Sequence, residues 1–375
     1  MVSRRAFTSG LGAGLAALAS SRLAGAPGPA PGAAAAPPAG PIGLDSNENP
    51  YGPSPRALAA LAASPAAAAR YPDAREDAVR AALARHHRVA PEQVVLGCGS
   101  GEVLKMAAAA FLGPGQRVVV AEPTFEAVLA YARVTRAEAV KVPLTPDHRH
   151  DLPAMARACD ARTGLVYLCN PNNPTGTIVG AGELDAFLAG VPPETAVLVD
   201  EAYHHFVEDP RYRSAFDWLP RRDNLVVVRT FSKVHGLAGM RLGYGVASRP
   251  RADALRSQSI WSNGNAGVLD AALACLEEPE HVERQRALLN GTKRRLCEEL
   301  RRDGRRFIPS EANFVMIDVE GDVGPLVEAF RARGIRVGRR FAALPGFLRI
   351  SIGTDPEMDA FLAALRALVP ARTAA

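Results

Sequence analysis

Two stretches of this 375-residue sequence carry residues with chemistry to offer. The first is Thr230-Phe231-Ser232-Lys233-Val234-His235-Gly236-Leu237-Ala238-Gly239-Met240-Arg241, which begins where the apolar run Leu225–Arg229 ends. A lysine in a polar loop directly after a strand can form a Schiff base with an aldehyde. The hydroxyls of Thr230 and Ser232 and the Arg241 guanidinium suit a phosphate, since the planar fork of arginine donors matches phosphate oxygens. The second stretch is Gly97-Cys98-Gly99-Ser100-Gly101-Glu102, between the apolar Val94–Leu96 and a helical pattern. Glycines there let the backbone turn tightly, and the free N–H groups at a helix start attract an anion.

By itself the second string is ambiguous. Val94-Val95-Leu96-Gly97-Cys98-Gly99-Ser100-Gly101 also fits the first motif of methyltransferases that use S-adenosylmethionine, and Glu122 stands where an acid would grip a ribose. The pattern of elements must position either chemistry. Helical spacing covers 74–88, with Ala78, Val79, Ala82 and Leu83 on one side. Strands are predicted at Val94–Leu96, Arg117–Ala121, Leu165–Cys169, Ala196–Val199 and Leu225–Arg229, with helices at Glu102–Phe111, Phe125–Arg133 and Glu183–Leu188 between them. Short apolar strands alternating with helices indicate a parallel sheet covered on both faces. A charged helix from about Glu280 to Arg302, strands Phe314–Asp318 and Leu348–Ile352, and a helix Pro356–Leu368 form a smaller α+β domain.

The twelve-residue lysine string resembles the cofactor motif of class I/II aminotransferases, which are pyridoxal-phosphate (PLP) enzymes of fold type I. It is especially similar to the histidinol-phosphate aminotransferase branch, S-K-x-x-x-L-A-G-x-R. Five further segments agree in order: Asp45-Ser46-Asn47-Glu48-Asn49-Pro50-Tyr51-Gly52, Arg70-Tyr71-Pro72-Asp73, Asn170-Pro171-Asn172-Asn173-Pro174-Thr175-Gly176, Asp200-Glu201-Ala202-Tyr203 and Leu348-Arg349-Ile350-Ser351-Ile352-Gly353-Thr354. The resemblance spans about 41–365 and displaces the methyltransferase reading. It implies an α/β chain with a mostly parallel sheet of the seven-stranded type, and ping-pong transfer of an amino group between an amino acid or amine phosphate and a 2-oxo acid.

It also implies roles. Lys233 holds PLP covalently and, once released, moves the proton between Cα and the C4′ carbon. Asp200 keeps the pyridine nitrogen protonated, so that the ring drains electrons from the substrate. Asn173 and Tyr203 hydrogen-bond the ring's phenolic oxygen, and Phe125 stacks on the ring. Backbone N–H groups of Ser100, Gly101 and Glu102 bind the phosphate, opposite Thr230, Ser232 and Arg241. Tyr71 reaches the phosphate of a neighbouring subunit, which implies a homodimer. Arg349 holds the substrate's α-carboxylate or distal anion, Arg340 and Arg339 join it, Asn173 contributes, and Tyr51 closes over the substrate.

Several positions depart from the branch. Phe125 stands where many relatives have tyrosine, Gly101 where they often have aspartate, and Val337-Gly338-Arg339-Arg340-Phe341 is not the usual distal-phosphate segment. Small changes around the ring turn this fold to oxidase, lyase or racemase chemistry, which is the competing enzymatic reading. A non-enzymatic sensor would need a partner domain, and the region before Pro41 is too short and Pro/Ala-rich to be one.

The remaining features bound the function. The formal charge of +5 is spread over helices with no Lys/Arg run, which argues against nucleic acid. Cys98, Cys159, Cys169, Cys275 and Cys297 form no C-x-x-C pair and are odd in number, so neither a disulfide framework nor a metal site is expected. Arg4-Arg5-Ala6-Phe7 ahead of the weakly apolar Gly10–Ser20 and the small-residue run Leu23-Ala24-Gly25-Ala26 resembles a twin-arginine export signal over 1–26. That apolar run is too short to anchor the chain in a membrane, and the signal implies the twin-arginine translocase as a passing partner and a periplasmic or secreted protein. A Pro/Ala-rich linker at 27–40, an arm at 41–70, a large domain at 71–265 and a small domain at 266–375 complete the expected organisation.

Overall fold

The computed structural model describes residues 40–370. The segment 1–26 that resembles an export signal and nearly all of the expected linker lie outside the described residues. Twelve strands are present among them: β1 Ile42–Leu44, β2 Val94–Gly97, β3 Arg117–Glu122, β4 Glu138–Pro143, β5 Thr163–Cys169, β6 Ala196–Asp200, β7 Leu225–Thr230, β8 Gly243–Ala247, β9 Phe307–Ile308, β10 Phe314–Asp318, β11 Ile335–Val337 and β12 Phe347–Ser351.

Seven of them form one sheet in the order β2-β8-β7-β6-β5-β3-β4. Strands β3 to β7 pair in parallel, while β8 is antiparallel to both β7 and β2 and is the one reversed strand. The central strands are buried on both faces, as apolar parallel strands must be. Their alternation sorts side chains to two cores. Val119, Val166, Val197, Val199 and Val227 pack on one face; Val118, Val120, Leu165, Leu198 and Val228 pack on the other.

Two strands of this sheet, like the short β1, β9 and β11 outside it, were not legible from apolar pattern. Edge strand β4 carries Glu138 and Lys141 and is largely exposed, which protects a sheet edge from further pairing. Strand β8 reads Gly-Tyr-Gly-Val-Ala, a poor strand by propensity. Its glycine is required by packing: a Cβ on Gly243 would lie 2.2 Å from the Ser100 backbone nitrogen. The helix Ser100–Phe111 therefore starts directly against β8. The predicted helix at Phe125–Arg133 starts two residues later, at Ala127, which leaves Phe125 and Glu126 at the end of β3 and outside the helix's first turn.

The C-terminal region builds a second, antiparallel sheet, β12-β10-β9, over a core that includes Phe314, Phe330, Phe361 and Leu365. The helix Pro279–Arg302 runs alongside. The helix Ala266–Leu276 instead buries Val268, Leu269 and Ala272 in the large sheet's core. Strand β1, near the start of the described chain, pairs in parallel with β11, so the arm is tied to the C-terminal region.

Beneath the lysine loop lies a buried polar layer. Arg229 and Glu201, both almost fully buried, form an ion pair at 2.8 Å, and Arg229 also stacks on Phe216 at 4.4 Å. Around them sit His87, which stacks on Phe216 and meets the Tyr244 hydroxyl at 2.8 Å, and His204, His205 and His235. Burial, then the Arg229 charge, hold His87 down to about 2. Burial first, then the His281 charge, lower His235 to about 3, and both His204 and His205 lie well below the ordinary imidazole value. In the unfolded chain these imidazoles titrate near 6.5. Below that pH the unfolded chain binds protons that the folded chain refuses, so folding stability is full above about pH 6.5 and falls as the pH drops toward the folded values. Urea unfolding at pH 7.5 and at pH 5 should show a lower midpoint at pH 5, and replacing His235 with asparagine should shrink the difference. Equal midpoints at the two pH values would contradict the account.

Candidate active site

Ligands of open α/β sheets bind beyond the carboxyl ends of the parallel strands. Here that edge receives Gly97 from β2, Glu122 from β3, Cys169 from β5, Asp200 from β6 and Thr230 from β7. A cavity of about 450 Å³ opens there. It is closed on one side by the arm residues Asp45 to Glu48 and on the other by Arg339, Phe341 and Arg349.

Asp200 lies at the bottom and is 2 % exposed. Its Oδ2 accepts a hydrogen bond from the Tyr167 hydroxyl at 3.0 Å, and its Oδ1 accepts one from the Ala202 N–H at 3.1 Å. Burial raises its pKa to about 6, against the lowering effect of those two donors. A carboxylate so placed favours a positive partner, which a protonated pyridine nitrogen is.

Lys233 sits on the loop after β7. Its Nζ donates to the backbone oxygens of Asn47 at 3.0 Å and Ser46 at 3.2 Å, and lies 5.6 Å from the centre of the Tyr203 ring. Burial foremost, then the Arg349 charge, lower its pKa to about 8. The amine is thus deprotonated far more readily than a surface lysine.

The Tyr203 hydroxyl accepts from Asn47 Nδ2 at 3.0 Å and Asn173 Nδ2 at 3.3 Å. Burial raises its pKa, so it stays a neutral phenol whose own proton is free for an acceptor in the cavity. Asn173 Oδ1 in turn accepts from Arg349 Nη1 at 2.8 Å, and Arg349 Nη2 donates to the Asp45 carbonyl at 2.7 Å. The buried Arg349 Nε has no hydrogen-bond partner among the described residues. An anion in the cavity would give it one.

The phosphate cup is built against β8. Ser100 and Gly101 line the cavity at the helix start, where N–H groups lack helical acceptors. Across from them Arg241 Nη1 donates to the Ala238 carbonyl at 2.8 Å and reaches Ser232 Oγ at 3.4 Å, while Thr230 Oγ1 accepts from the Ser232 N–H at 3.0 Å. Gly99 has φ +74°, and a Cβ there would meet Arg241 Nη2 at 2.2 Å. Only glycine lets the guanidinium close on the cup. These residues fit a phosphorylated aldehyde with a ring nitrogen: an amine for the aldehyde, a carboxylate for the nitrogen, a hydroxyl and an amide for the ring oxygen and a cationic cup for the phosphate.

Other predicted residues fall elsewhere. The Glu102 N–H donates to the Gly99 carbonyl at 3.2 Å, and its carboxylate accepts from the Cys98 N–H and from Asn263 Nδ2 at 2.8 Å, so it braces the cup from behind. Phe125 is at the cavity rim, partly exposed. Tyr51 is not in the cavity; it lies against Thr292 and Asp355. Tyr71 is 83 % exposed on this chain. Of the adjacent arginines, Arg340 is committed to Asp322 at 3.0 and 3.1 Å, and Arg339 lines the cavity in its place. Two participants escaped the sequence reading. Asn47 lay inside a noted segment without a role, and Tyr167 read only as strand core.

A lysine, a buried carboxylate and a cationic cup at the carboxyl edge of a doubly covered sheet define a PLP-dependent enzyme of fold type I. Residues 39–365 match the family described as aminotransferase class I and II, and the chain belongs to that family. It is 40 % identical over 331 residues to histidinol-phosphate aminotransferase of Moorella thermoacetica, covering 88 % of this chain and 85 % of that one. It is 40 % identical over 337 residues to histidinol-phosphate aminotransferase 2 of Pseudomonas aeruginosa, covering 88 % and 89 %. The structure of histidinol-phosphate aminotransferase from Sinorhizobium meliloti in complex with pyridoxal-5'-phosphate superposes with a TM-score of 0.83 at 27 % identity, covering 88 % and 90 %. The protein is a PLP-dependent transaminase, similar to histidinol-phosphate aminotransferases, that works by ping-pong exchange between an amino compound and a 2-oxo acid.

The lowered lysine pKa has a direct readout. The rate at which the cofactor-free protein combines with PLP should rise with pH and level off above about pH 8, the unprotonated amine being the attacking form. A rate that still climbs through the ordinary lysine range near 10.4 would contradict the geometry.

Proposed function

We propose that Lys233, Asp200 and Tyr203 do the proton and charge work of this transaminase, and that its amino donor is an amine with a distal anion, histidinol phosphate first among them. The observation that carries the assignment is that the buried Lys233 amine and the buried Asp200 carboxylate open into one cavity with the Ser100–Arg241 cup. The histidinol-phosphate aminotransferases at 40 % identity, and Arg349 and Arg339 in the same cavity, support the choice of donor.

Bound there, PLP supplies an electron-withdrawing ring that stabilises negative charge at the substrate's Cα. Asp200 holds the proton on the ring nitrogen, and its burial strengthens that hydrogen bond. Lys233 Nζ, with its lowered pKa, would take the proton from the substrate's Cα and return it to the cofactor's C4′ carbon. Tyr203 would donate to the ring's phenolic oxygen, with Asn173, which is bonded to the Tyr203 hydroxyl, beside it. Phe125 would stack on the ring. Ser100, Gly101, Ser232, Thr230 and Arg241 orient the phosphate, and Arg349 receives the carboxylate or distal anion of either ping-pong partner.

We further propose that the protein is a homodimer. Tyr71, Ile260 and Trp261 are large, apolar and exposed, and a second copy would cover them, with Tyr71 reaching the partner's phosphate. Arg4-Arg5 and the residues that follow support export through the twin-arginine translocase to the periplasm or beyond. A purified chain that runs as a monomer, or one found in the cytoplasm with its N-terminus intact, would overturn the corresponding proposal.

Borohydride reduction of the loaded enzyme should attach the cofactor's mass to the peptide bearing Lys233. Lys233→Ala should abolish that label and lower turnover by at least about 10²–10⁴-fold, the span of a general acid–base group. Asp200→Ala should retain PLP poorly and nearly abolish turnover. Adding histidinol phosphate or glutamate should convert the visible spectrum to that of the amino form of the cofactor. Product without that conversion would favour oxidase, lyase or racemase chemistry.

A further inference from the structure

We propose that Glu126 is a stand-in anion for Arg339, neutralising a substrate-binding arginine until a substrate with a second negative charge displaces it. The inference rests on the transamination reading and adds to it a residue that sets which substrate charges are accepted.

Arg339 owes its place to Gly338. The Gly338 N–H donates to the Arg349 carbonyl at 2.9 Å, and a Cβ on Gly338 would lie 2.7 Å from that same oxygen. The loop after β11 is thus pressed onto β12 at Arg349, and the next side chain, Arg339, enters the same cavity. Phe341, buried between them, lies 4.4 Å from the Arg339 guanidinium and 5.3 Å from that of Arg349.

Besides Arg241 at the phosphate cup, two guanidinium groups therefore serve one cavity, and burial first, with the Arg339 charge adding to it, lowers the pKa of Arg349. The carboxylates in reach are unequally available. That of Asp45 is turned toward Arg336 at 3.6 Å, that of Asp200 is buried with Tyr167, and that of Glu48, also on the cavity wall, acts on Lys233. Glu126 reaches across from the end of β3 and binds Arg339 Nη2 through Oε2 at 2.6 Å. Both members of the pair are more than half exposed and both line the cavity.

Exposure decides the energetics. An exposed ion pair contributes little and exchanges readily, whereas a phosphate or carboxylate can take a guanidinium bidentately. A doubly anionic substrate then displaces Glu126 at small cost. A substrate without the second anion leaves the pair intact and never faces an uncompensated cation. Ping-pong exchange requires this tolerance, because one cavity must take two substrates of different charge in turn.

The test uses the loaded enzyme and two matched pairs that differ in the distal charge: histidinol phosphate against histidinol, and glutamate against glutamine. The quantity read is the ratio of kcat/KM for the anionic over the neutral member in the amino-donor half-reaction. Glu126→Gln should raise the ratio about 2- to 5-fold, the value of an exposed pair. Arg339→Gln should lower it on the order of 10- to 100-fold, the value of a charge-assisted hydrogen bond. Glu126→Gln should have no further effect in the Arg339→Gln background. A ratio unmoved by either substitution, or a Glu126 effect that persists without Arg339, overturns the proposal. If no donor converts the cofactor in the unaltered enzyme, it is the transamination reading that fails. Titration of the three proteins with inorganic phosphate then decides the pair: tighter binding in Glu126→Gln and weaker binding in Arg339→Gln supports it, and equal binding in all three overturns it.

Discussion

A carboxylate buried at the end of a central strand is the constraint on which this structure turns. Asp200 has nearly no contact with solvent, and its charged form is held by only two donors, the Tyr167 hydroxyl and the Ala202 N–H. Leaving a charge so lightly compensated is costly unless a cation completes it. The fold therefore presents an unfinished ion pair to the cavity, one that a protonated ring nitrogen would complete. Tyr167 belongs to the same design: it reaches Asp200 from the neighbouring strand β5, where the register aligns Cys169 with Asp200.

The rest of the cavity follows from keeping that end of the sheet dry. The arm runs across it, so that the carbonyls of Ser46 and Asn47 hold the Lys233 amine and Asn47 holds the Tyr203 hydroxyl. The arm is itself anchored to the C-terminal region: β1 pairs with β11, and the Asn47 N–H donates to Ser351 Oγ at 2.8 Å. Arg349, on the strand that carries Ser351, joins Asn173 to the Asp45 carbonyl. Lysine, tyrosine, asparagine and arginine thus form one connected network drawn from five separate segments of the chain. Polar networks of this kind rigidify a site once every donor is satisfied, which here asks for an anion at Arg349 Nε.

Below the network, the Arg229–Glu201 pair and its histidines form a second polar layer, with Glu201 adjacent to Asp200 and Arg229 one residue before Thr230. Glu201 also accepts from Ser214 Oγ and the Ala215 N–H, so the buried charges are hydrogen-bonded as well as paired. This layer ties the ends of β6 and β7 together behind the cofactor face, and it makes the position of Asp200 relative to Lys233 a property of the sheet.

Much of the site was legible in the sequence because it is local to strand ends. Lys233, Asp200, Asn173 and Ser100 each stand at or within a few residues of the end of a short apolar strand, and a parallel sheet carries all such ends to one edge whatever the loops between them do. What the sequence left open depended on how loops and registers pack. Nothing local distinguishes Arg339 from Arg340; the close approach of Gly338 to Arg349 selects one, and Asp322 takes the other. Asn47 and Tyr167 matter only because an arm and a neighbouring strand bring them to Tyr203 and Asp200, across 156 and 33 residues of chain. Tyr51 could reach either side of the arm, and the fold turned it to Thr292 and Asp355. The sequence by itself determined the chemistry and the sheet edge where it occurs, since both are written in residue type and period. Tertiary packing alone decided which of several equivalent side chains points inward, because that depends on distances between segments that no local pattern encodes.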